Sequence, residues 1–312
     1  MSLPTLDVSE ADYRRRFAEA CFGLDLADVL AERCRLPRPL VRQVEGSSLV
    51  FRAGDGPWLK IVPPFWIDAF DAELTVTQAV EGRLPAPVPA IIDSGALGAW
   101  RYLVSTNVPG VQAQAVLPSL GDGDLERVAA ELGQFMRAFH AIAIPGFARE
   151  FGPWSRYLDE RLADGGTLHR SRGVDPARVE QIIAFLAART PELVALGPPV
   201  VVHADLTAEH VMLAEQGGRW RLSGVLDLAD AMSAPAELDL IAPFLELFRG
   251  RRGPQRRLMA EAGIRAHAEP FCELLMAVAL QHRFIHFDDW FAAEIGAGVT
   301  GLMQIAHAVF PD

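Results

Sequence analysis

The feature that most constrains the fold is a change of hydrophobic period near residues 105–110. Between residues 38 and 105 the chain breaks into short runs rich in β-branched and aromatic residues: RPLVRQV, SSLVFRA, PWLKIV and WRYLVS. Gly46, Gly54-Asp55-Gly56, Gly95 and Gly98 punctuate them. Such runs separated by turn residues predict an antiparallel meander. One segment from about Trp66 to Glu81 has helical spacing and interrupts the strands. After NVPG the period becomes 3.6: Leu125, Val128, Ala129, Leu132, Phe135, Met136 and Phe139 fall on one helical face. Asp175-Pro176 reads as an N-cap with proline at the first helical position. Further helical spacing covers 236–249, 255–265, 270–287 and 290–309, and EQGGRW reads as the turn of a hairpin. The expectation is an α+β chain in two parts. Residues 1–106 form a small antiparallel β-sheet lobe with one helix and an N-terminal helical extension over 10–34, and residues 107–312 form a larger, mainly helical lobe.

Composition limits what such a chain does. Half of its 312 residues are hydrophobic and 22% are charged, enough for a sizeable core and against wholesale disorder. A formal net charge of −11 disfavours nucleic acid as a partner and suits cationic small molecules. Cys21, Cys34 and Cys272 match no zinc spacing, and their odd number argues against a disulfide framework. Reduced thiols point to the cytoplasm. No apolar run approaches the roughly 20 residues that span a bilayer. The stretch around Asp7, Glu10 and Asp12 lacks the apolar core of a signal peptide.

The chemistry concentrates in VVHADLTAEHVML, residues 201–213. His203-x-Asp205 with a further histidine is a non-haem iron ligand pattern, but that site needs a β-barrel and the strands for one are lacking. A second carboxylate, Asp227, follows an apolar strand in SGVLDLADA. The hairpin path predicts that Asp205, His210 and Asp227 meet at one cleft. Phosphoryl transfer needs such a set: one carboxylate to orient and deprotonate a hydroxyl, another to hold Mg²⁺, and a further ligand for the metal. It also needs a cation for the phosphates. Lys60 sits mid-strand in PWLKIV, a costly place for an unpaired ammonium, and Glu73 on the next helix is its natural partner. As plain readings, Lys60 snorkels from an edge strand and Glu73 faces solvent. Gly46, Ser47 and Ser48, in the EGSS turn, allow backbone amides to face phosphate oxygens.

With these residues in place, the chain resembles the aminoglycoside phosphotransferase and choline-kinase-like branch of the protein-kinase-like fold, from about Val41 to Leu245. The family's loop H-G-D-x-x-x-x-N corresponds to His203-Ala204-Asp205 through His210. Its metal motif corresponds to Leu226-Asp227-Leu228-Ala229-Asp230, without the usual glycine or aromatic. PAELDL with Asp239, ELGQFMRAFHAI with His140, and RYLVSTNVPG as the lobe-connecting hinge are similar too. The stretches around PVP and ELDLIAPFLELFRG most resemble hygromycin-B kinase-like members. The resemblance implies ATP or GTP and Mg²⁺ as cofactors and a small-molecule hydroxyl acceptor, most closely an aminoglycoside-like antibiotic. It implies that Asp205 is the catalytic base and that Asp227 and His210 are at the metal. Lys60, paired with Glu73, would bind the α/β-phosphates, and the hinge around Ser105 and Asn107 would hold adenine. Histidine replaces the family's asparagine at 210, as in macrolide and certain aminoglycoside kinases. Magnesium prefers oxygen to imidazole, so this change bears on the second metal position.

The remaining polar residues are read more plainly. His203 props the loop, Asp239 caps or anchors, and His140 is a satisfied core histidine. His282 and His286 are spaced to share a helical face, and lining or packing is favoured over a metal because no glutamate lies between them. Asp230, Glu209, His286 and Asp289, with Asp288, are read as an acidic acceptor rim.

Overall fold

A computed structural model describes residues 8–44, 46–147, 154–164, 166–266 and 270–312. The chain divides into two compact units. One comprises residues 1–81, 87–108 and 226–230; the other comprises 82–86, 109–225 and 231–312.

The first unit opens with α1 (Glu10–Arg16) and α2 (Leu24–Arg33). A sheet follows, built from β1 (Leu40–Gln43), β2 (Leu49–Ala53), β3 (Trp58–Val62), β4 (Ile91–Leu97) and β5 (Trp100–Ser105), with α3 (Ile67–Val80) inserted after β3. The strand order is β1-β2-β3-β5-β4 and the pairings are antiparallel. Side chains alternate across a strand, so Leu59 and Ile61 share one face of β3 while Lys60 and Val62 share the other. Leu49, Phe51, Leu59, Ile61, Tyr102 and Val104 bury the first face against Tyr13, Phe22, Leu26 and Leu30 of the N-terminal segment. Val62 and Leu103 bury the second face against Phe70 of α3. Each fully buried side chain of this size contributes about 1.5–3 kcal/mol. Strand alternation thus aims Lys60 at the face that carries α3. β4 is an additional strand beyond those read from periodicity. It lies at the sheet edge with few buried residues, and a Cβ at Gly95 would come within 3.0 Å of the Tyr102 ring.

The second unit starts with β6 (Val111–Gln112), α4 (Ala113–Val116) and α5 (Asp122–His140). Then come α6 (Trp154–Ala163), α7 (Thr167–Ser171) and α8 (Pro176–Val194), the last capped by Asp175, whose carboxylate accepts from the amides of Ala177 and Arg178. β7 (Val200–Val202) leads into the HADLTAEH loop, followed by the hairpin of β8 (Val211–Gln216) and β9 (Arg219–Val225). β10 (Met232–Ala234), α9 (Ile241–Glu246), α10 (Arg252–Ala262), α11 (Phe271–Gln281), α12 (Phe287–Trp290), α13 (Ala292–Gly296) and α14 (Leu302–Val309) complete it. β10 pairs with β7 and β6 with β8, two short pairings too brief to leave a periodic signal. The apolar stripe of α5 is buried, and α10 approaches it where a Cβ at Gly133 would meet the Leu258 carbonyl at 2.6 Å.

Three helical expectations change. The segment 236–249 is α-helical only over Ile241–Glu246, after a 3-10 helix over Ala236–Leu240. The segment 270–287 is not one helix: α11 stops at Gln281 and His282 turns extended. The His282 Nδ1 accepts the Phe284 N–H at 3.2 Å, a local side-chain bond that competes with the helical ladder. His282 and His286 therefore share no helical face; His282 is buried and His286 exposed. The segment 290–309 likewise splits into α12, α13 and α14. Among the described residues no helix is long and apolar enough to cross a membrane.

Candidate functional site

Two groups of residues stand out, one in each unit. In the first unit, Lys60 leaves β3 between Val50 of β2 and Leu103 of β5. Its Nζ lies 2.9 Å from Glu73 Oε2 and 3.0 Å from Asp227 Oδ1. Burial alone would depress the ammonium's pKa, but the two carboxylates together outweigh it and hold the pKa above the ordinary lysine value. Glu73 is pushed up by burial, and by the like charges of Asp227 and Asp230, against the pull of Lys60. One ammonium thus serves two buried or half-buried carboxylates. α3 positions Glu73 by burying Phe70 and Val76 on its sheet-facing side.

Asp227 belongs to the 226–230 segment after β9. Its φ of 57° is in the left-handed region, where an aspartate is tolerated because its carboxylate can bond nearby backbone. Here Oδ1 accepts the Ala229 N–H at 3.2 Å. Asp230, expected at the acceptor rim, falls in this unit, and its charge adds to the upward push on Glu73.

The β1–β2 turn holds Gly46 (φ 85°), Ser47 and Ser48; Glu45 lies outside the described residues. No atom lies within 4 Å of a Cβ built on Gly46, so its backbone dihedral rather than crowding calls for glycine. Tyr13, buried among Phe22, Phe65, Trp66 and Trp100, donates its hydroxyl to the Ser47 carbonyl at 2.7 Å. In a trans peptide the C=O and the following N–H point opposite ways. Fixing the Ser47 carbonyl toward Tyr13 therefore fixes the Ser48 N–H away from the N-terminal helices. Tyr13 was not among the residues singled out from sequence, and nothing local in EADYRRR marks it. Ser105 ends β5 opposite Trp58, and Asn107 Oδ1 accepts from Trp58 Nε1 at 2.9 Å.

In the second unit, Asp205 sits in a loop fixed through its backbone. Ala204 has φ 64°, the left-handed conformation that explains why glycine suits this position. Asp239, 2% exposed, accepts the amides of His203 at 2.9 Å and Ala204 at 2.7 Å. Its carboxylate also meets His140 Nε2 at 2.8 Å. Burial works against its charge, but these partners hold its pKa below the usual range. His203, fully buried, accepts the Asp205 N–H on Nδ1 at 3.2 Å. His282 Nε2 meets the Ala204 carbonyl at 3.0 Å, so the imidazole donates there. Burial first, and the Arg283 charge second, lower its pKa to about 4, which keeps it neutral. Glu246 accepts the Ala208 N–H at 2.7 Å. The loop-bracing contacts of His282 and Glu246 went unread in the sequence, because both partners are backbone atoms distant along the chain.

His210 turns its Nδ1 into this loop, 2.8 Å from the Asp205 carbonyl, 3.1 Å from Thr207 Oγ1 and 3.3 Å from Asp205 Oδ2. A ring nitrogen that donates to a carbonyl has no lone pair for a metal, so Nε2 is the atom left to consider. Asp227 offers the oxygen that magnesium prefers; His210 fits that ion poorly. Of the expected acceptor rim, Glu209 is exposed on the loop. His286 and Asp289 pair at 3.6 Å at the start of α12, both exposed. His203, Asp205 and His210 do not form a three-ligand metal group among the described residues.

Residues 41–274 match a family described as the phosphotransferase enzyme family. Among solved structures, the streptomycin–ATP ternary complex of APH(2'')-IIa aligns at a TM-score of 0.62 and 14% identity, covering 92% of this chain and 98% of that one. The GDP complex of aminoglycoside 2'-phosphotransferase-IIIa aligns at 0.66 and 14%, covering 91% and 98%. APH(3'')-Id from Streptomyces rimosus, with ADP and streptomycin, aligns at 0.59 and 18%, covering 83% and 98%. No curated protein sequence matches the chain. At these identities the structural likeness shows a shared kinase-like α+β fold.

Proposed function

Because the chain belongs to the phosphotransferase enzyme family, we propose that it transfers the γ-phosphoryl group of ATP or GTP to a hydroxyl of a small molecule, an aminoglycoside-like antibiotic being the acceptor class to test first. The observation that carries this reading is the buried Lys60 held at 2.9 and 3.0 Å by Glu73 and Asp227. A buried lysine held charged by two carboxylates is placed to meet a further anion. Lys60 binds the nucleotide phosphates, Glu73 aims it, and the Ser47–Ser48 backbone adds amide donors. The strand-end residues around Ser105 and Asn107 receive the base. Asp205 orients the acceptor hydroxyl and takes its proton, with its loop held rigid by Asp239 and His282. Asp227 would hold Mg²⁺, whose charge offsets that of the phosphates, while His210, at the position of the family's asparagine, fits that ion poorly. Exposed Glu209, Asp288 and Asp289 and the net charge of −11 favour a cationic acceptor.

A second reading is a nucleotide-binding pseudoenzyme, favoured by the engagement of His210 Nδ1 with the Asp205 carbonyl. A labelled phosphate-transfer screen over aminoglycosides, macrolides, choline and sugars separates the two. The expected result is transfer to a member of the panel that falls about 10²–10⁴-fold in Asp205→Asn, with nucleotide binding retained. Nucleotide binding without transfer to any acceptor would favour the pseudoenzyme.

A further inference from the structure

Outside the residues considered above, α14 buries Leu302, Ile305, Ala306 and Val309 and packs on α11. The chain leaves α14 extended at Phe310, which returns Asp312 to the side of His307. Two groups then converge on one ring atom. His307 Nδ1 lies 3.1 Å from Asp312 Oδ1 and 3.2 Å from Cys272 Sγ. Ligand atoms of the three residues all lie within 4.8 Å of one another. The thiol also hydrogen-bonds the Asp312 carboxylate, so the three groups close a triangle of mutual contacts. A metal ion at the centre of the triangle satisfies all three groups at once.

We propose that Cys272, His307 and Asp312 bind one zinc-class divalent ion through the thiolate, the imidazole Nδ1 and a carboxylate oxygen, with water as fourth ligand. Tetrahedral zinc with bonds of about 2.0–2.3 Å separates sulfur, nitrogen and oxygen ligands by about 3.4–3.6 Å. The two separations from Nδ1, 3.1 and 3.2 Å, reach that with shifts of about 0.3 Å. The donor set contains sulfur and nitrogen, which selects zinc-like ions over magnesium or calcium.

The surroundings hold these ligands in place. Arg252 donates to the carbonyls of His307 and Phe310, and Gln255 Nε2 to that of Val309 at 2.6 Å, tying the backbone around the ligands to α10. On the far side of the imidazole, Glu273 Oε1 lies 4.0 Å from Nε2, while Glu273 Oε2 is ion-paired with Arg189. A carboxylate on that side is the partner for an Nε2–H once a metal takes Nδ1. Cys272 is buried, and burial with the nearby Asp312 charge raises its thiol to about 12, so it is inert until a cation displaces its proton. Binding is balanced: the thiol releases one proton to solvent, and thiolate, neutral imidazole and carboxylate neutralise the dication. The ion links the segment after α14 to the start of α11, the helix that ends beside His282.

The test is a titration of reduced, chelator-stripped protein with Co²⁺ alone. Tetrahedral d–d bands and a thiolate-to-cobalt charge-transfer band saturate at one equivalent, and Zn²⁺ abolishes them. Cys272→Ser removes the charge-transfer band. His307→Gln and Asp312→Asn, changes at exposed positions that leave the fold intact, each weaken Zn²⁺ binding at least about tenfold. Cys21→Ser, at the exposed cysteine, changes nothing. Absence of the band in the wild-type protein, its survival in Cys272→Ser, or its loss in Cys21→Ser overturns the proposal.

Discussion

Two carboxylates carry the proposed chemistry, and the protein fixes them by opposite means. Asp227 is held by charge: a lysine shared with Glu73 within one unit. Asp205 is held by backbone: its loop hangs from Asp239 through the amides of His203 and Ala204, with His282 on the Ala204 carbonyl. Charge pairs are long side chains that re-form around a new partner, and under the proposed function a phosphate competes directly for Lys60. Amide–carboxylate bonds leave the loop one geometry, which suits a base that must meet a hydroxyl at a set angle. On the proposed assignment, the difference teaches that the phosphate side is built to exchange partners and the acceptor side to stay still.

Removing the anchor on each side breaks the comparison open. Asp239→Ala strips two buried amides and His140 of their shared acceptor and should cost about 3–5 kcal/mol, read as a lower urea midpoint. Lys60→Met should cost about 1–2 kcal/mol, because Glu73, already pushed up by burial, takes a proton when its partner goes. Its activity should nonetheless fall about 10²–10³-fold, the usual loss when a preorganised charge is removed from a transferring group. If Lys60→Met unfolds the protein as severely as Asp239→Ala, the two centres are not built differently.

The next effect is in pH. His282 is held neutral, with its pKa lowered from 6.5 to about 4 by burial and by Arg283 and Arg161, against the opposing Ala204 carbonyl and Asp239. The unfolded chain therefore binds this proton first. The stabilisation is complete above about pH 6.5 and drains away as pH falls toward 4, amounting to about 3 kcal/mol. Urea midpoints of the wild-type protein and His282→Gln, measured from pH 7 to 4, should converge as the pH drops. Parallel curves would mean that the ring titrates normally and does not fasten the loop as a neutral donor.

How much of this was legible depended on whether a contact was local. The meander, α3, the capped α8 and the β8–β9 hairpin follow from alternation, from Asp175-Pro176 and from Gly217-Gly218. Lys60 with Glu73 was readable because a lysine between apolar strand neighbours demands a partner and the next helix supplies one. Asp205 and Asp227 were readable as two carboxylates flanking a predicted hairpin. Tyr13, His282 and Glu246 were not, because each grips a backbone atom elsewhere in the chain, and backbone atoms leave no mark on sequence. The edge strand β4 escaped because only Leu97 of it is buried, and a strand with neither face in the core carries no alternation. His282 and His286 misled by spacing alone: the side chain of His282 bonds the Phe284 amide and ends the helix between them.

The smallest effect bears on backbone strain, which both centres share. Ala204 (φ 64°) precedes Asp205, and Asp227 (φ 57°) is itself left-handed. In the first unit the strained residue is the functional carboxylate, so strain and chemistry cannot be separated by substitution. In the second they sit on neighbours, and Ala204 can be changed alone. The left-handed conformation costs an alanine about 1 kcal/mol, which Ala204→Gly removes. The glycine returns about 0.4–1 kcal/mol of that through the greater freedom of the unfolded chain. The net is a gain of at most about 0.5 kcal/mol, with transfer activity unchanged if Asp239 and His282 alone set the loop. Should Ala204→Gly lower activity several-fold without loss of stability, the methyl group itself helps to place Asp205, and the backbone bonds are not sufficient to hold it.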